Sequence, residues 1–210
     1  MTSRPIAAEP AKSDDVPSPQ SQARPSHWEA LRTDYAVHGR SLTNPALWAL
    51  AVYRFGRWSL DQRNPATRWA SSKLYGALAA ASRAVTGVHL DRTCEVGRAL
   101  HLIHCEAPIS INPRCTIGDR VGIMHNVTIG DTPDGGVPRI GNDVFIGVGA
   151  VILGAVTVGD GAQIAANSLV IADVPPDHVA VGVPARVYPA IGAKPKAKAS
   201  ARGHGGSSGR

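Results

Sequence analysis

Long apolar runs are missing from this sequence: no stretch stays apolar for the roughly 18 residues that a membrane-spanning helix needs. Cysteine is scarce. Cys94, Cys105 and Cys115 are odd in number and no signal peptide accompanies them, which points to reduced thiols in the cytoplasm and not to a disulfide framework. A structured basic face is also lacking. The formal net charge is +6, and Lys194, Lys196, Lys198, Arg202 and Arg210 supply five positive charges near the end, so the basic character belongs to a solvated tail, and no nucleic-acid partner is expected. Residues 1–25 are rich in Pro, Ser, Ala and mixed charge and read as a disordered tail, as do the basic residues 191–210.

What is present is a period of six. Ile140, Ile146, Ile152, Val158, Ile164 and Val170 fall at every sixth position, with Gly141, Gly147 and Gly159 directly after three of them. Neither a helix at 3.6 nor a strand at 2 produces that spacing by itself. A short strand and a tight turn, repeated three times per eighteen-residue coil, do produce it, with one aliphatic per hexapeptide pointing into a prism and the small residue after it letting the chain bend. The same phase runs through Ile111, Ile117, Ile123 and Ile129. Ile129 to Ile140 is eleven, so DTPDGG inserts five residues as a loop; Leu102 to Ile111 is nine, an excess of three that predicts a bulged corner near Cys105 to Pro108. The fold class is therefore mainly β: a left-handed parallel β-helix over 87–190, preceded by a small helical segment over 26–86.

Within that segment, Asn44-Pro45 is a helix start, Asn capping and Pro at the first helical position. Behind it Leu47, Leu50, Ala51 and Phe55 share one face, and a second amphipathic helix is predicted over Ala66 to Val85. Trp48, Trp58 and Trp69 with Arg54, Arg57 and Arg68 admit an alternative, a membrane-surface helix. The plainer reading is a helical subdomain that packs on the end of the β-helix or on a neighbouring subunit.

Chemistry has to come from side chains that leave the prism. His89, His101, His104 and His125 gather where the repeat is interrupted. His104 to His125 is 21 residues, one coil plus the excess of three, so both fall two positions after an inward aliphatic, in one column on successive coils. Imidazole titrates near neutral pH and can take a proton from a hydroxyl.

The hexapeptide repeats, VTIGD, IGVGAVILGAVTVGDGA and VPPDHVAVGVPARV resemble the hexapeptide acyltransferases, most closely the serine O-acetyltransferases; the similarity covers about residues 30–188, including DYAVHGR and NPALWALAVYRFGRW. The resemblance implies a trimer or a dimer of trimers, acetyl-CoA between neighbouring β-helices and no metal. It puts the base on His104 at the end of LHLIH, a preference over His125 that rests on the motif match alone. It puts CoA contacts on Val148 and Ala166, with Gly149 and Ala165 beside them and Arg186 towards a phosphate.

The departures from the family are specific. Its acidic partner of the base corresponds to His89, the aspartate before the base to Ile103, and the carboxylate-binding arginine-histidine pair to Gly136-Val137. Glu106, Asp91 and His89 are alternatives for orienting the ring, and Arg139 and Arg114 for holding a carboxylate. The expected activity is acetyl-CoA-dependent O-acetylation, of L-serine by family or of a sugar or cell-envelope glycan precursor. The family's C-terminal isoleucine peptide is missing, so no cysteine synthase complex is expected. An acyl-Cys105 route, an inactive scaffold and a γ-type carbonic anhydrase are the remaining readings. For the last, His101, His104 and His125 supply three imidazoles, but Gly130 stands where a ligand is expected.

Overall fold

The structure, a computed structural model, describes residues 26–104 and 107–190. The expectations for both tails, for Cys105 and for Glu106 lie outside them. Three helices come first: α1 (His27–Val37), α2 (Pro45–Leu60) and α3 (Pro65–Thr86). Fifteen short strands follow: β1 (Val88–Leu90), β2 (Glu95–Val96), β3 (His101–Ile103), β4 (Ile109–Ile111), β5 (Thr116–Ile117), β6 (Gly122–Met124), β7 (Thr128–Gly130), β8 (Arg139–Ile140), β9 (Phe145–Ile146), β10 (Val151–Leu153), β11 (Thr157–Val158), β12 (Gln163–Ile164), β13 (Leu169–Val170), β14 (His178–Val181) and β15 (Arg186–Pro189).

Every third strand pairs in parallel, giving three faces: β1-β4-β7-β10-β13, β2-β5-β8-β11 and β3-β6-β9-β12-β14, the last closed by antiparallel β15. This is the left-handed β-helix that the hexapeptide period predicts. The register carries the two insertions. Val88 pairs with Ile109, an offset of 21; Ser110 with Thr128, an offset of 18; Thr116 with Arg139, an offset of 23; and Thr157 with Arg139, 18 again. The extra three residues lie between β3 and β4, and the extra five between β7 and β8.

Ile111, Ile117, Ile123, Ile129, Ile140, Ile146, Ile152, Val158, Ile164 and Val170 are all buried. The hexapeptide reading assigned one inward residue to each repeat, and the structure shows two. Cys115, Val121, Val127, Val144, Ala150, Val156 and Ala162, each two positions before a large aliphatic, are also buried. They are small because they sit at the corners of the prism, where less space is left.

The glycines after the aliphatics act by closeness between coils, not by bending the chain. A Cβ on Gly118 would lie 2.6 Å from the Gly141 carbonyl oxygen, a backbone atom of the next coil. Beside these glycines the coils are tied by carboxylate and amide side chains: Arg98 N–H donates to Asp119, Asp119 N–H to Asn142 (2.9 Å) and Asn142 N–H to Asp160 (2.7 Å). Gly118→Ala should therefore destabilise the protein by about 1–3 kcal/mol. Gly76→Ala, in the middle of α3 with nothing within 4 Å of the added Cβ, should stabilise it by about 0.5–1 kcal/mol. Urea denaturation of the two variants checks both signs.

An open β-helix exposes unpaired backbone groups at its first coil, which is a sheet edge. The helices cover it. Tyr53 Oη donates to Cys94 O (2.8 Å), Arg54 to Val96 O (3.0 Å) and Gly97 O, and Arg57 to Arg92 O (3.2 Å). From α1 and its C-cap, Thr33 accepts from Ala99 N–H (3.1 Å), Asp34 from Leu100 N–H (3.1 Å) and His38 Nε2 from Leu102 N–H (3.2 Å). Asn44 caps α2 as predicted, accepting from Ala46 N–H. The buried face of α2 differs from the predicted one: Tyr53, Arg54 and Gly56 are buried, whereas Ala51 and Phe55 are only half-buried. The surface-helix alternative loses its cations on α2, because Arg54 and Arg57 are engaged on the β-helix. Among the described residues no helix is long and apolar enough to cross a membrane.

Candidate active site at one corner of the prism

The strands of the third face set up a single column of side chains. His101 pairs with Gly122 and Ile103 with Met124; Gly122 pairs with Phe145, and Phe145 with Gln163. Continuing each register past the strand ends aligns His104, His125, Val148 and Ala166 on four successive coils. Backbone bonds follow the same alignment, Gly149 N–H donating to His125 O (3.1 Å) and Asn167 N–H to Val148 O (2.8 Å). The column reaches the end of the prism: Ala165 lies opposite Val181, which pairs with Arg186 on β15. His104, His125, Val148, Gly149, Ala165, Ala166 and Arg186, all singled out in the sequence, thus line one corner.

The His104 and His125 rings approach edge-on, with centroids 6.2 Å apart and planes at 84°. His104 itself has φ +55°, a left-handed conformation uncommon for a residue with a side chain. It is exposed, and it begins the corner that carries the three extra residues. His125 is half-buried, and its Nδ1 is buried with no hydrogen-bond partner among the described residues.

The four candidate CoA positions divide by their amides. Gly149 N–H is engaged with His125 O and Ala165 N–H with Ala180 O (2.9 Å), both in the ladder between coils. The amides of Val148 and Ala166 carry no hydrogen bond among the described residues. Ala166 and Arg186 are exposed and Val148 is half-buried.

His89 stands apart, exposed on β1 of the first face, in register with Ser110. The alternatives for orienting the base also separate. Asp91 does not serve, because its carboxylate caps its own turn, accepting from Thr93 N–H (2.8 Å) and Thr93 Oγ1 (2.7 Å). Arg114 braces the 131–138 loop through Asp131 (2.9 Å) and Gly135 O (3.1 Å), and Arg139 lies on the second face between Thr116 and Thr157. Neither is at the corner. On the side of the third face, Ile103 and Met124 pair across β3 and β6 next to the histidines, and the Phe145 ring covers Gly122.

His101 does not join the other two imidazoles. Its ring lies edge-on to His38 at 5.0 Å, and burial, then the neighbouring His38, push its pKa below the usual histidine value. Among the described residues no group of three or more metal-ligating side chains comes together. What sequence reasoning missed is the support beneath His104. Asp34 on α1 and His38, the residue that caps its C-terminus, bond the amides of Leu100 and Leu102 and so hold the strand that leads into His104. Their spacing in DYAVHGR, on one face of a helix, was the available signal.

Comparison with known proteins adds a family to this geometry. Residues 138–172 match the model described as bacterial transferase hexapeptide (six repeats). A serine acetyltransferase of Bacillus licheniformis is 31% identical over 187 residues, covering 86% of this chain and 76% of that one. Another, from Helicobacter pylori strain J99, is 38% identical over 113 residues, 52% of this chain and 66% of that one. The chain spans between 53% and 66% of the length of this and two further curated serine acetyltransferases. Among solved structures, serine acetyltransferase from Brucella abortus strain S19 in complex with coenzyme A superposes with a TM-score of 0.64 at 27% identity, over 77% of this chain and 67% of that one.

Proposed function

The chain belongs to the serine acetyltransferase family, and from that premise we propose that it transfers an acetyl group from acetyl-CoA to the hydroxyl of a small acceptor, with His104 as the general base. The observation that carries this reading is the single column that joins the histidine pair to the free amides of Val148 and Ala166.

The residues present fit a CoA thioester. Val148 and Ala166 donate their amides to the pantetheine carbonyls, and the small Gly149 and Ala165 leave the arm room to lie against the prism. Arg186 faces a nucleotide phosphate at the far end. From β3 to β15 the third face takes five strand steps, or roughly 24 Å at about 4.8 Å each, a length suited to an extended pantetheine arm with its nucleotide. His104 takes the acceptor's hydroxyl proton, the oxygen attacks the acetyl carbonyl, and the imidazolium returns that proton to the departing thiolate.

The acceptor indicated by the family is L-serine. A second reading, a neutral hydroxyl compound such as a sugar or a cell-envelope glycan precursor, is favoured by the apolar residues beside the histidines on the third face. An amino-acid carboxylate calls for a bidentate arginine, whereas Ile103, Met124 and Phe145 flank the histidines and Arg114 is engaged with the loop. The protein works as a homotrimer. Phe145 (41% exposed) and Ile171 (57%) leave apolar area on the two faces that meet at this corner, and a neighbouring copy would cover it and wall the site.

The test is thiol release from acetyl-CoA with L-serine and then with a panel of sugars. Turnover of serine supports the first acceptor, and turnover of a sugar alone supports the second. Wild-type protein that transfers acetyl to neither overturns the reading.

A further inference from the structure

We propose that His125 is a second catalytic residue of this reaction: its neutral ring, protonated on Nε2, donates a hydrogen bond to the thioester carbonyl oxygen as that oxygen becomes an oxyanion. The role rests on the acetyltransferase reading above and adds a side-chain donor to it.

Position is the first argument. His125 occupies the coil between the one that ends at His104 and the one that carries Val148. A thioester whose arm is held at Val148 and Ala166, and whose carbonyl carbon is attacked by a hydroxyl held at His104, brings that carbon to the level of the coil between them. Successive coils are about 4.8 Å apart, so the reacting carbonyl has His125 as its neighbouring side chain.

The second argument is the state of the ring. The other imidazoles among the described residues for which hydrogen bonds are found are tied down. His38 uses both nitrogens, Nδ1 with Asp34 O (2.7 Å) and Nε2 with Leu102 N–H; His178 Nδ1 meets Pro176 O (2.8 Å); His27 Nε2 meets Asp61 (2.6 Å). His125 Nδ1 is buried with no partner among the described residues, and no hydrogen bond joins its ring to that of His104. The ring therefore has no structural bond to explain its orientation.

The role also fixes the tautomer it needs. Nδ1 goes unpaired among the described residues in either tautomer, and a buried donor or acceptor left without a partner costs about 1–3 kcal/mol. With the proton on Nε2, the ring nitrogen left to the corner, the single N–H of the neutral ring is the one that can reach a substrate. A preorganised N–H aimed where negative charge develops is the arrangement that stabilises an acyl-transfer transition state.

In the complete step His104 removes the hydroxyl proton as the new C–O bond forms, and the carbonyl π electrons move onto oxygen, which accepts the His125 Nε2–H bond. The C–S bond then breaks with its electrons going to sulfur, and His104 passes its proton to the thiolate. His125 keeps its proton throughout.

The experiment compares wild type, His125→Phe and His125→Gln in thiol release from acetyl-CoA, with L-serine or the sugar of the panel that turns over fastest. His125→Phe should lower kcat by about 100- to 1,000-fold while the KM for acetyl-CoA changes by less than about threefold. His125→Gln, which restores a neutral N–H donor, should recover kcat to within about tenfold of wild type. Thermal melts check folding; if His125→Phe does not fold, His125→Ala with added imidazole replaces it, and added imidazole should restore its kcat. The role is overturned if His125→Phe stays within about threefold of wild-type kcat, if His125→Gln is as slow as His125→Phe, or if imidazole restores nothing. Absence of acetyl transfer by the wild type is a different result, seen before any variant is made, and overturns the acetyltransferase reading together with this role.

Discussion

Replacing His104 with alanine should lower kcat/KM for acetyl transfer by about 100- to 10,000-fold, the range a positioned general base contributes. Two features of the structure make this the largest expected effect on activity. The imidazole stands exposed at the start of the enlarged corner, so an acceptor hydroxyl can reach it. No carboxylate among the described residues bonds it, and Asp91, one of the alternatives for orienting the ring beside Glu106 and His89, is turned into its own loop. Binding of CoA should survive the substitution, because the groups assigned to it are the amides of Val148 and Ala166 two and three coils away. The check pairs the rate with a thermal shift: CoA at about 100 times its Kd should still stabilise the variant by about 2.7 kcal/mol. A variant that keeps the wild-type rate would move the base to another residue of the column, His125 first.

Replacing Arg54 with methionine should destabilise the fold by about 3–5 kcal/mol, because it strands the buried Asp34 carboxylate without its counter-charge. Both side chains are almost fully enclosed, Arg54 at 5% and Asp34 at 0% exposure, and they meet at 2.9 Å. The guanidinium also donates to the Val96 and Gly97 carbonyls, so its loss uncovers the edge of the first coil. Methionine keeps the length and apolar stem, which assigns the effect to charge and hydrogen bonding. For a chain of this size the loss corresponds to roughly 6–20 °C in Tm, readable by thermal denaturation. The double variant Arg54→Met with Asp34→Leu should recover only part of it, since Asp34 also accepts from Leu100 N–H. Exposed pairs such as Arg120 with Asp143 contribute about 0–1 kcal/mol, so the prediction is specific to the buried pair.

Much of the site was legible because the repeat is a ruler. Once Leu102 and Ile123 are placed as inward residues, the 21-residue step from His104 to His125 puts the two on one column without reference to any side-chain contact, and the register of β3 with β6 follows that step. His89 was assigned to the same site through family resemblance, and it stands on another face because its coil position belongs to β1, not to the corner. Similarly, Gly149 and Ala165 look like Val148 and Ala166 in sequence, all four being small or slender residues of one block. Only the ladder between coils distinguishes amides that are engaged from those that are not.

By itself the sequence determined the architecture and the places where it is interrupted. A period of six admits one solution that buries every sixth residue, and each departure from eighteen residues per coil must leave the prism as a loop or a bulge. Tertiary structure alone decided why the glycines are required, which α2 residues face inward, how Arg114 is used, and that His125 holds a buried nitrogen with no partner among the described residues. Each of these depends on groups brought together from separate coils or from helices between 35 and 66 residues away along the chain, and no local pattern in a sequence records such distances.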